Sequence, residues 1–151
     1  MGMGSADRDD VTAREAAMRA SFAMGWTKEL GLEPLELTPQ RVVAQWDVGA
    51  RHVQPHGIVH GGVYASVVET CCSVGALLAA PEGTVVVGVE NHTSFVRPAR
   101  AGRLTAHAVP LHAGRRAQLW ECTITDGVGR LIASGRLRLM AVDANSEASS
   151  G

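Results

Sequence analysis

The chain has 151 residues, of which 46% are hydrophobic and 19% charged, and its formal net charge is −1. These values predict one soluble globular domain, and they disfavour nucleic acid as a partner. The start lacks a basic segment followed by an apolar one, which indicates no signal peptide. The longest apolar run is interrupted by Glu69, Thr70 and Ser73, which argues against a membrane span. We therefore expect a cytoplasmic protein.

The first predicted helix lies near the N-terminus. Thr12 followed by Glu15 forms a capping-box pattern, which predicts a helix over residues 12–24 that ends at Gly25. A strand is then predicted where apolar and polar residues alternate. The apolar positions of that strand are Val42, Ala44, Trp46 and Val48.

A long apolar segment forms the centre of the chain. Glu69 is the only charged residue between Val63 and Ala80, and Pro81 ends the run, so we predict a helix over 61–80. A helix that is apolar all round is normally buried, and carboxylates are rarely buried unless they are paired. Glu69 therefore either meets an arginine at a helix or subunit contact, or acts as a catalytic carboxylate.

The spacing within this helix is informative. Gly61, Ala65, Glu69 and Ser73 lie on one stripe, and Gly61 and Gly62 fall at the helix start. The first backbone N–H groups of a helix lack partners and carry positive charge, so they can stabilise an oxyanion. Glu69 lies about 12 Å further along the axis. Two antiparallel helices, one from each subunit, would bring both groups together, which predicts a homodimer with composite sites.

Histidines and cysteines give no metal or disulfide prediction. His52, His56 and His60 are spaced by four, but Pro55 and Gly57 break any helix here. The number of cysteines is odd and no C-x-x-C motif occurs, so we expect neither a zinc site nor a disulfide framework. The cysteines are Cys71, Cys72 and Cys122. They are interpreted as buried residues, with a cysteine nucleophile as the alternative.

The rest of the chain predicts four strands joined by turns. They cover residues 84–95, 103–109, 117–125 and 130–140. The Asp126–Gly127 pair predicts a hairpin. The order of strand, buried helix and four antiparallel strands indicates an α+β fold with an antiparallel sheet curled around one long helix. Its exposed edge predicts pairing with a second copy. The domain is expected to span residues 11–142, between disordered tails at 1–10 and 143–151.

Arginines accumulate in the C-terminal part, where Glu121 and Asp126 are the only acidic residues between Arg97 and Arg138. One interpretation is a solvated sheet face. The other is an anion site, because the arginine fork suits phosphate. Both interpretations stay open from the residues alone.

The central motif resembles that of hotdog-fold acyl-CoA thioesterases, in particular the phenylacetate-degradation and 4-hydroxybenzoyl-CoA thioesterases. Their motif N-x-x-G-x-x-H-G-G, with an acidic residue eight positions after the first glycine of the pair, is matched by Gln54, Gly57, His60, Gly61, Gly62 and Glu69. Gln54 replaces Asn and Glu69 replaces Asp. One branch of the 4-hydroxybenzoyl-CoA thioesterases uses this Gln and Glu with a hydroxyl residue one turn later, as Ser73 is here. The resemblance spans about residues 30–140.

The resemblance implies a hotdog fold and hydrolysis of an acyl-CoA, with an aryl or short- to medium-chain acyl group, to free acid and CoA. Glu69 would be the base or nucleophile, and the Gly61 N–H would polarise the carbonyl. Gln54 would position the carbonyl or water, and Ser73 would hydrogen-bond Glu69. No cofactor is implied beyond the CoA of the substrate. The expected assembly is a homodimer that associates further into a homotetramer.

The remaining site residues would bind substrate. They are His56, His60, Gly62, Arg97, Arg100 and Arg103, with the arginines facing the CoA phosphates. Two other functions stay open. One is a non-catalytic hotdog protein that binds acyl-CoA, and the other is an enoyl-CoA hydratase or dehydratase that would pair a carboxylate with His60 or His92.

Overall fold

The computed structural model describes residues 5–144. The helices are α1 (Ser5–Ser21), α2 (Gly25–Leu30) and α3 (Gly61–Ala79), with a short 3-10 turn at Ala50–His52. The strands are β1 (Glu33–Thr38), β2 (Arg41–Asp47), β3 (Thr84–Phe95), β4 (Arg103–Ala113), β5 (Ala117–Asp126) and β6 (Leu131–Asp143).

The strands form one antiparallel sheet that wraps around α3. Their order across the sheet is β1-β2-β4-β5-β6-β3, so β3 pairs with the last strand and forms one edge. Helix α3 contacts all six of these strands. The predicted α+β hotdog arrangement, with its central helix and its four following strands, is therefore confirmed.

Alternating side chains of the central strands build the core beneath α3. The buried apolar side chains of β4, β5 and β6 include Leu104, Ala106, Ala108, Trp120, Cys122, Ile124, Ala133, Leu137 and Leu139. Helix and sheet approach closely at two glycines. An added Cβ on Gly75 would overlap the Trp120 ring, and one on Gly135 would meet Val68 at 2.9 Å. The small residues therefore set the distance between the two layers.

The hairpin predicted between β5 and β6 is observed, but the length of its turn differs from the prediction. The Asp126 carboxylate accepts hydrogen bonds from the backbone N–H groups of Val128 (3.1 Å) and Arg130 (2.9 Å). The residue with left-handed backbone is Gly129, at φ +82°, and not Gly127. The turn is thus longer than a two-residue loop, because the Asp126 side chain closes it.

The N-terminal prediction needs correction. Helix α1 begins at Ser5 instead of residue 12, and it ends at Ser21 instead of residue 24. Thr12 therefore lies inside the helix and does not cap it. Arg14 explains the stability of this helix, because its guanidinium donates to the Leu77 carbonyl (2.6 Å) and the Ala80 carbonyl (3.2 Å) at the C-terminus of α3. This contact is tertiary, so a local pattern does not reveal it.

Two further elements were not predicted, namely α2 and β1. Helix α2 ends at Gly31, whose φ of +67° is left-handed. Strand β1 begins with Glu33 and Pro34 at the outer edge of the sheet, where a missing N–H is tolerated. The predicted C-terminal tail also starts too early, because β6 extends to Asp143. Residues 1–4 and 145–151, where tails were predicted, lie outside the described part of the chain.

One face of α3 is only partly covered by its own chain. This helix is long and apolar enough to span a membrane, but its apolar side chains pack inside the sheet. The side chain of Glu69 is exposed, and Ala65 and Ser73 on the same stripe are half-buried. The expectation of a helix buried all round is therefore wrong for a single chain, since the sheet covers only the opposite side.

Candidate active site

The loop before α3 is held in a defined shape. Val53 and Val59 pair as an isolated bridge, and the backbone N–H of Gln54 donates to the Ile58 carbonyl at 2.8 Å. Gly57 closes the turn with a left-handed φ of +74°. The half-buried Gln54 side chain makes no hydrogen bond to any residue from 5 to 144, so its amide is free to bind a ligand.

His60 caps the N-terminus of α3. Its Nδ1 accepts a hydrogen bond from the backbone N–H of Gly62 at 2.9 Å, and its carbonyl accepts one from Val63 at 2.9 Å. The N–H of Gly61 has no hydrogen-bond partner in the described range of the chain. Helix α3 therefore presents one free amide at the positive end of its dipole, which is the arrangement that stabilises a developing oxyanion.

An aromatic ring lies against this amide. Phe95, at the end of β3, is 60% exposed, and a Cβ added to Gly61 would overlap its ring. The ring centroid of Phe95 is 6.0 Å from that of the buried Tyr64, with the planes tilted by 44°. Gly61 is thus needed for close approach of Phe95, and Phe95 forms one wall at the helix start.

Glu69 opens into a cavity of about 340 Å³. The cavity is lined by Ser21, Trp26, Thr27, Ser66, Glu69, Thr70, Ser73 and Val74. Glu69 makes no ion pair or hydrogen bond within residues 5–144, so pairing with an arginine of the same chain is not observed. Ser73 shares the cavity, but the predicted Ser73–Glu69 hydrogen bond is absent, because both side chains face open space on successive turns. The carboxylate is available to a ligand.

The predicted substrate-binding arginines do not form one cluster. Arg103 makes a bidentate ion pair with Asp47, at 3.0 Å and 2.7 Å, which lowers the pKa of the Asp47 carboxyl through hydrogen bonding. Arg97 donates to the Leu131 carbonyl at 2.9 Å. Arg100 donates to the carbonyls of His56 and Gly57, both at 3.3 Å, and so joins the loop before α3.

Other candidate groups lie away from the Glu69 cavity. A wider depression of about 870 Å³ near the C-terminus of α3 contains Arg115 and Arg116, but no histidine or cysteine lines it. No cluster of His, Cys, Asp or Glu suited to a metal occurs between residues 5 and 144. All three cysteines are buried, and both contact with the Cys122 thiol and burial raise the pKa values of Cys71 and Cys72. The same thiol contacts lower the pKa of Cys122, but its side chain is fully buried, so no substrate reaches it as a nucleophile.

His52 connects the loop to the N-terminal helices. It is buried, and its Nδ1 accepts from the Gly49 N–H at 2.9 Å while its Nε2 lies 3.0 Å from the Leu30 carbonyl. Only the neutral ring protonated at Nε2 satisfies both contacts. Its backbone carbonyl accepts from the His60 N–H at 2.8 Å, so one residue holds both α2 and the start of α3.

We predict that protonation of His52 destabilises the fold. Burial, and the nearby Arg51 charge, lower the pKa of His52 from its ordinary 6.5, although the contact with Leu30 opposes the shift. The unfolded chain then binds more protons than the folded one, so stability is full above about pH 6.5 and falls below it. Urea unfolding at pH 7.5, 6.5 and 5.5 measures this loss. The non-titrating variant His52→Gln should be less stable but show a flatter profile, and an equal pH slope in both proteins would contradict the prediction.

Sequence and structure comparisons show which proteins this chain resembles. The family model of the thioesterase superfamily matches residues 56–133. Rv1847 of Mycobacterium tuberculosis is 46% identical over 119 residues, covering 77% of this chain and 85% of that protein. The 1,4-dihydroxy-2-naphthoyl-CoA hydrolase of Listeria monocytogenes is 32% identical over 113 residues, covering 75% and 92%. The crystal structure of thioesterase HI1161 from Haemophilus influenzae superposes with a TM-score of 0.80 at 30% identity, covering 86% and 91%.

Proposed function

This chain belongs to the thioesterase superfamily, and we propose that it hydrolyses acyl-CoA thioesters with an aryl or a short- to medium-chain acyl group. Thioester hydrolysis is the general reaction that the family and the relatives support. The CoA part of the substrate is suggested by the name of the Listeria relative. The proposal rests above all on the free Gly61 N–H, which lies on the same helix as the unpaired carboxylate of Glu69.

Each group has a role in this reaction. The Gly61 N–H hydrogen-bonds the thioester carbonyl oxygen and stabilises the negative charge that develops there. Glu69 either removes a proton from the attacking water or attacks the carbonyl carbon itself. In both routes the C–S bond breaks and CoA leaves as a thiolate, which needs little acid assistance; in the second route water then cleaves the acyl–Glu69 anhydride to the free acid and restores the carboxylate. The free amide of Gln54 orients the carbonyl or the water, and the Ser73 hydroxyl hydrogen-bonds Glu69 once substrate fills the cavity.

The site is composite in this proposal. Gly61 and Glu69 are eight residues apart on one helix, about 12 Å along the axis, so Glu69 of a second subunit is the one that reaches the carbonyl held at Gly61. The partly covered face of α3 and the free edge of β3 are the surfaces for pairing. Val89 and Val96 on or next to that edge are exposed in the single chain. A homodimer, associating further into a homotetramer, would bury them.

Hydrolysis is favoured over the hydratase or dehydratase alternative. Those reactions need a histidine near the carboxylate; no histidine of the same chain lines the Glu69 cavity, so in a composite site the nearest one would be His60, next to Gly61. The imidazole Nδ1 of His60 is occupied by the Gly62 N–H. His92 lies in a different depression with Arg136 and Arg138. Non-catalytic acyl-CoA binding is disfavoured because a binding protein has no need for the unpaired carboxylate.

Thiol release from a panel of acyl-CoAs tests the proposed function. The panel contains benzoyl-, phenylacetyl-, acetyl-, hexanoyl- and palmitoyl-CoA, and a thiol-reactive dye follows the product. We expect turnover of at least one aryl, short-chain or medium-chain member. A folded, dimeric protein that binds these thioesters without releasing thiol would overturn hydrolysis, while absorbance changes with an enoyl-CoA would favour a hydratase.

Substitution of Gly61 should affect turnover more than stability. In Gly61→Ala, the new methyl group displaces the exposed Phe95 ring and shifts the carbonyl away from the free N–H. A small misplacement of the reacting carbonyl can reduce the rate about 10²-fold. We therefore expect kcat/KM to fall by about that factor. The matched control is Gly127→Ala, because a Cβ at Gly127 has no neighbour within 4 Å among the described residues. Full activity of Gly61→Ala would exclude Gly61 from the site.

A further inference from the structure

The N-terminal arm, defined as α1 and α2 (Ser5–Leu30), completes the Glu69 cavity. It precedes the segment matched by the family model, which begins at residue 56. Nevertheless it supplies Ser21, Trp26 and Thr27 to the cavity wall opposite α3. The shape of the acyl pocket therefore depends partly on a segment outside the shared motif.

The arm is held firmly enough to act as a wall. Arg14 ties α1 to the C-terminus of α3 through the Leu77 and Ala80 carbonyls. Phe22, after α1, and Leu30, at the end of α2, are 4% and 1% exposed within the core. His52 contacts the Leu30 carbonyl at 3.0 Å. The chain is therefore held in place both before and after Trp26.

Trp26 itself is not part of the core. Its side chain is 61% exposed, whereas Trp46 and Trp120 are 1% and 0% exposed. The other cavity residues are the carboxylate, Val74 and small hydroxyl side chains, so the indole is the one large apolar surface available to an acyl group there. A flat ring offers most contact to another flat ring, because offset stacking adds to simple area burial. A linear alkyl chain would cover only part of it.

We propose that Trp26 is a specificity-determining residue whose indole stacks on an aromatic acyl group bound beside Glu69. The proposal rests on the thioester hydrolysis proposed above and adds the residue that selects the acyl group. Hydroxyl groups of Ser66, Thr70 and Ser73 on α3 line the same cavity and can hydrogen-bond polar substituents of the ring. The arm thereby favours planar aromatic acyl groups over linear ones.

Kinetics of matched variants test this role. The kcat/KM values for benzoyl-CoA and phenylacetyl-CoA, each divided by that for hexanoyl-CoA, are measured in wild type, Trp26→Ala, Trp26→Phe and Met24→Ala. Met24 is a control on the same arm, 67% exposed and absent from the cavity wall. We expect Trp26→Ala to lower the aryl-to-alkyl ratio about five- to tenfold, within the range of one aromatic contact. Trp26→Phe should retain most of the ratio, and Met24→Ala all of it.

Fluorescence gives a readout that does not depend on turnover. Trp26 is the exposed tryptophan, so benzoyl-CoA added to the Glu69→Gln variant should change the emission, and Trp26→Phe in that background should abolish the change. An unchanged aryl-to-alkyl ratio in Trp26→Ala overturns the proposal. Equal losses for both substrates together with loss of the dimer also overturn it, because Trp26 would then be an interface residue. If wild type cleaves no thioester yet its emission responds to benzoyl-CoA, the proposed hydrolysis fails while the stacking contact stands.

Discussion

The variant Glu69→Gln should lose about 10²–10⁴-fold in kcat on every acyl-CoA that the wild type hydrolyses, the range for removal of a general base. Glutamine keeps the size of the side chain and its hydrogen-bonding capacity but can neither accept the proton of water at neutral pH nor attack the carbonyl. Because the exposed Glu69 side chain makes no hydrogen bond or ion pair within residues 5–144, its replacement removes no such interaction. Steady-state thiol release, with the thermal unfolding of both proteins, measures the two effects separately.

A matched carboxylate provides the control for this prediction. Glu29→Gln changes the same functional group on the exposed surface of α2, where Glu29 has no described partner and does not line the cavity. This variant should keep kcat within about twofold of the wild-type value, because substitutions on the surface usually change free energies by less than ~0.5 kcal/mol. Equal activity of the Glu69 and Glu29 variants would remove Glu69 from the mechanism. Full loss of activity accompanied by unfolding would instead give Glu69 a structural role.

The wild type and Glu69→Gln together distinguish the two roles open to Glu69, nucleophile and general base. If the carboxylate is the nucleophile, rapid quenching of the wild type during turnover should leave a peptide containing Glu69 with one added acyl group, detectable by mass spectrometry. If it activates water, no such adduct forms, and the solvent deuterium isotope effect on kcat should exceed unity. Glu69→Gln abolishes the adduct in the first case, which identifies the site of acylation.

Much of the fold follows from local sequence patterns. A strand was predicted over residues 103–109, where Leu104, Ala106 and Ala108 are buried, and the long apolar run that ends before Pro81 predicted the central helix; both are observed. Strand β1 was not predicted, because Pro34 weakens the alternation of apolar and polar residues and because its position at the edge of the sheet leaves Leu35 52% exposed. Such a strand depends on pairing with β2, a contact that its own residues do not encode.

The site was predictable only where its residues share one motif. The glycine pair and Glu69 lie on one helix, so their spacing was enough to place an amide donor and a carboxylate on it. Trp26 and Phe95 were missed as site residues because they arrive from α2 and β3, and only the tertiary fold brings them to α3. A tryptophan directly after the predicted first helix is a weak signal that could have indicated Trp26. No local pattern distinguishes Phe95 from an ordinary strand residue.

Gly75→Ala should destabilise the fold although it lies on the same helix as Gly61. Its new Cβ would overlap the ring of Trp120, which is fully buried and cannot move away. The indole N–H donates to the side-chain Oε1 of Gln118 at 2.8 Å, and the side-chain Nε2 of Gln118 donates to the backbone carbonyl of Ala76 at 3.0 Å. Overpacking of this kind costs about 1–3 kcal/mol, while alanine in a helix returns roughly 1 kcal/mol. We expect a net loss of up to about 2 kcal/mol in the free energy of unfolding, measured in urea.

A double variant identifies the cause of that loss. Trp120→Phe removes the ring atoms that the new methyl group would overlap, so Gly75→Ala should cost less in its presence, by at least about 0.5 kcal/mol. The control Gly127→Ala should be neutral or slightly stabilising, because it reduces the freedom of the unfolded chain and meets no atom within 4 Å of its Cβ among the described residues. Strict additivity of the Gly75 and Trp120 changes would contradict the clash. Because Gly61 meets the exposed Phe95 and Gly75 the enclosed Trp120, the same substitution on one helix should reduce turnover at its start and stability near its end.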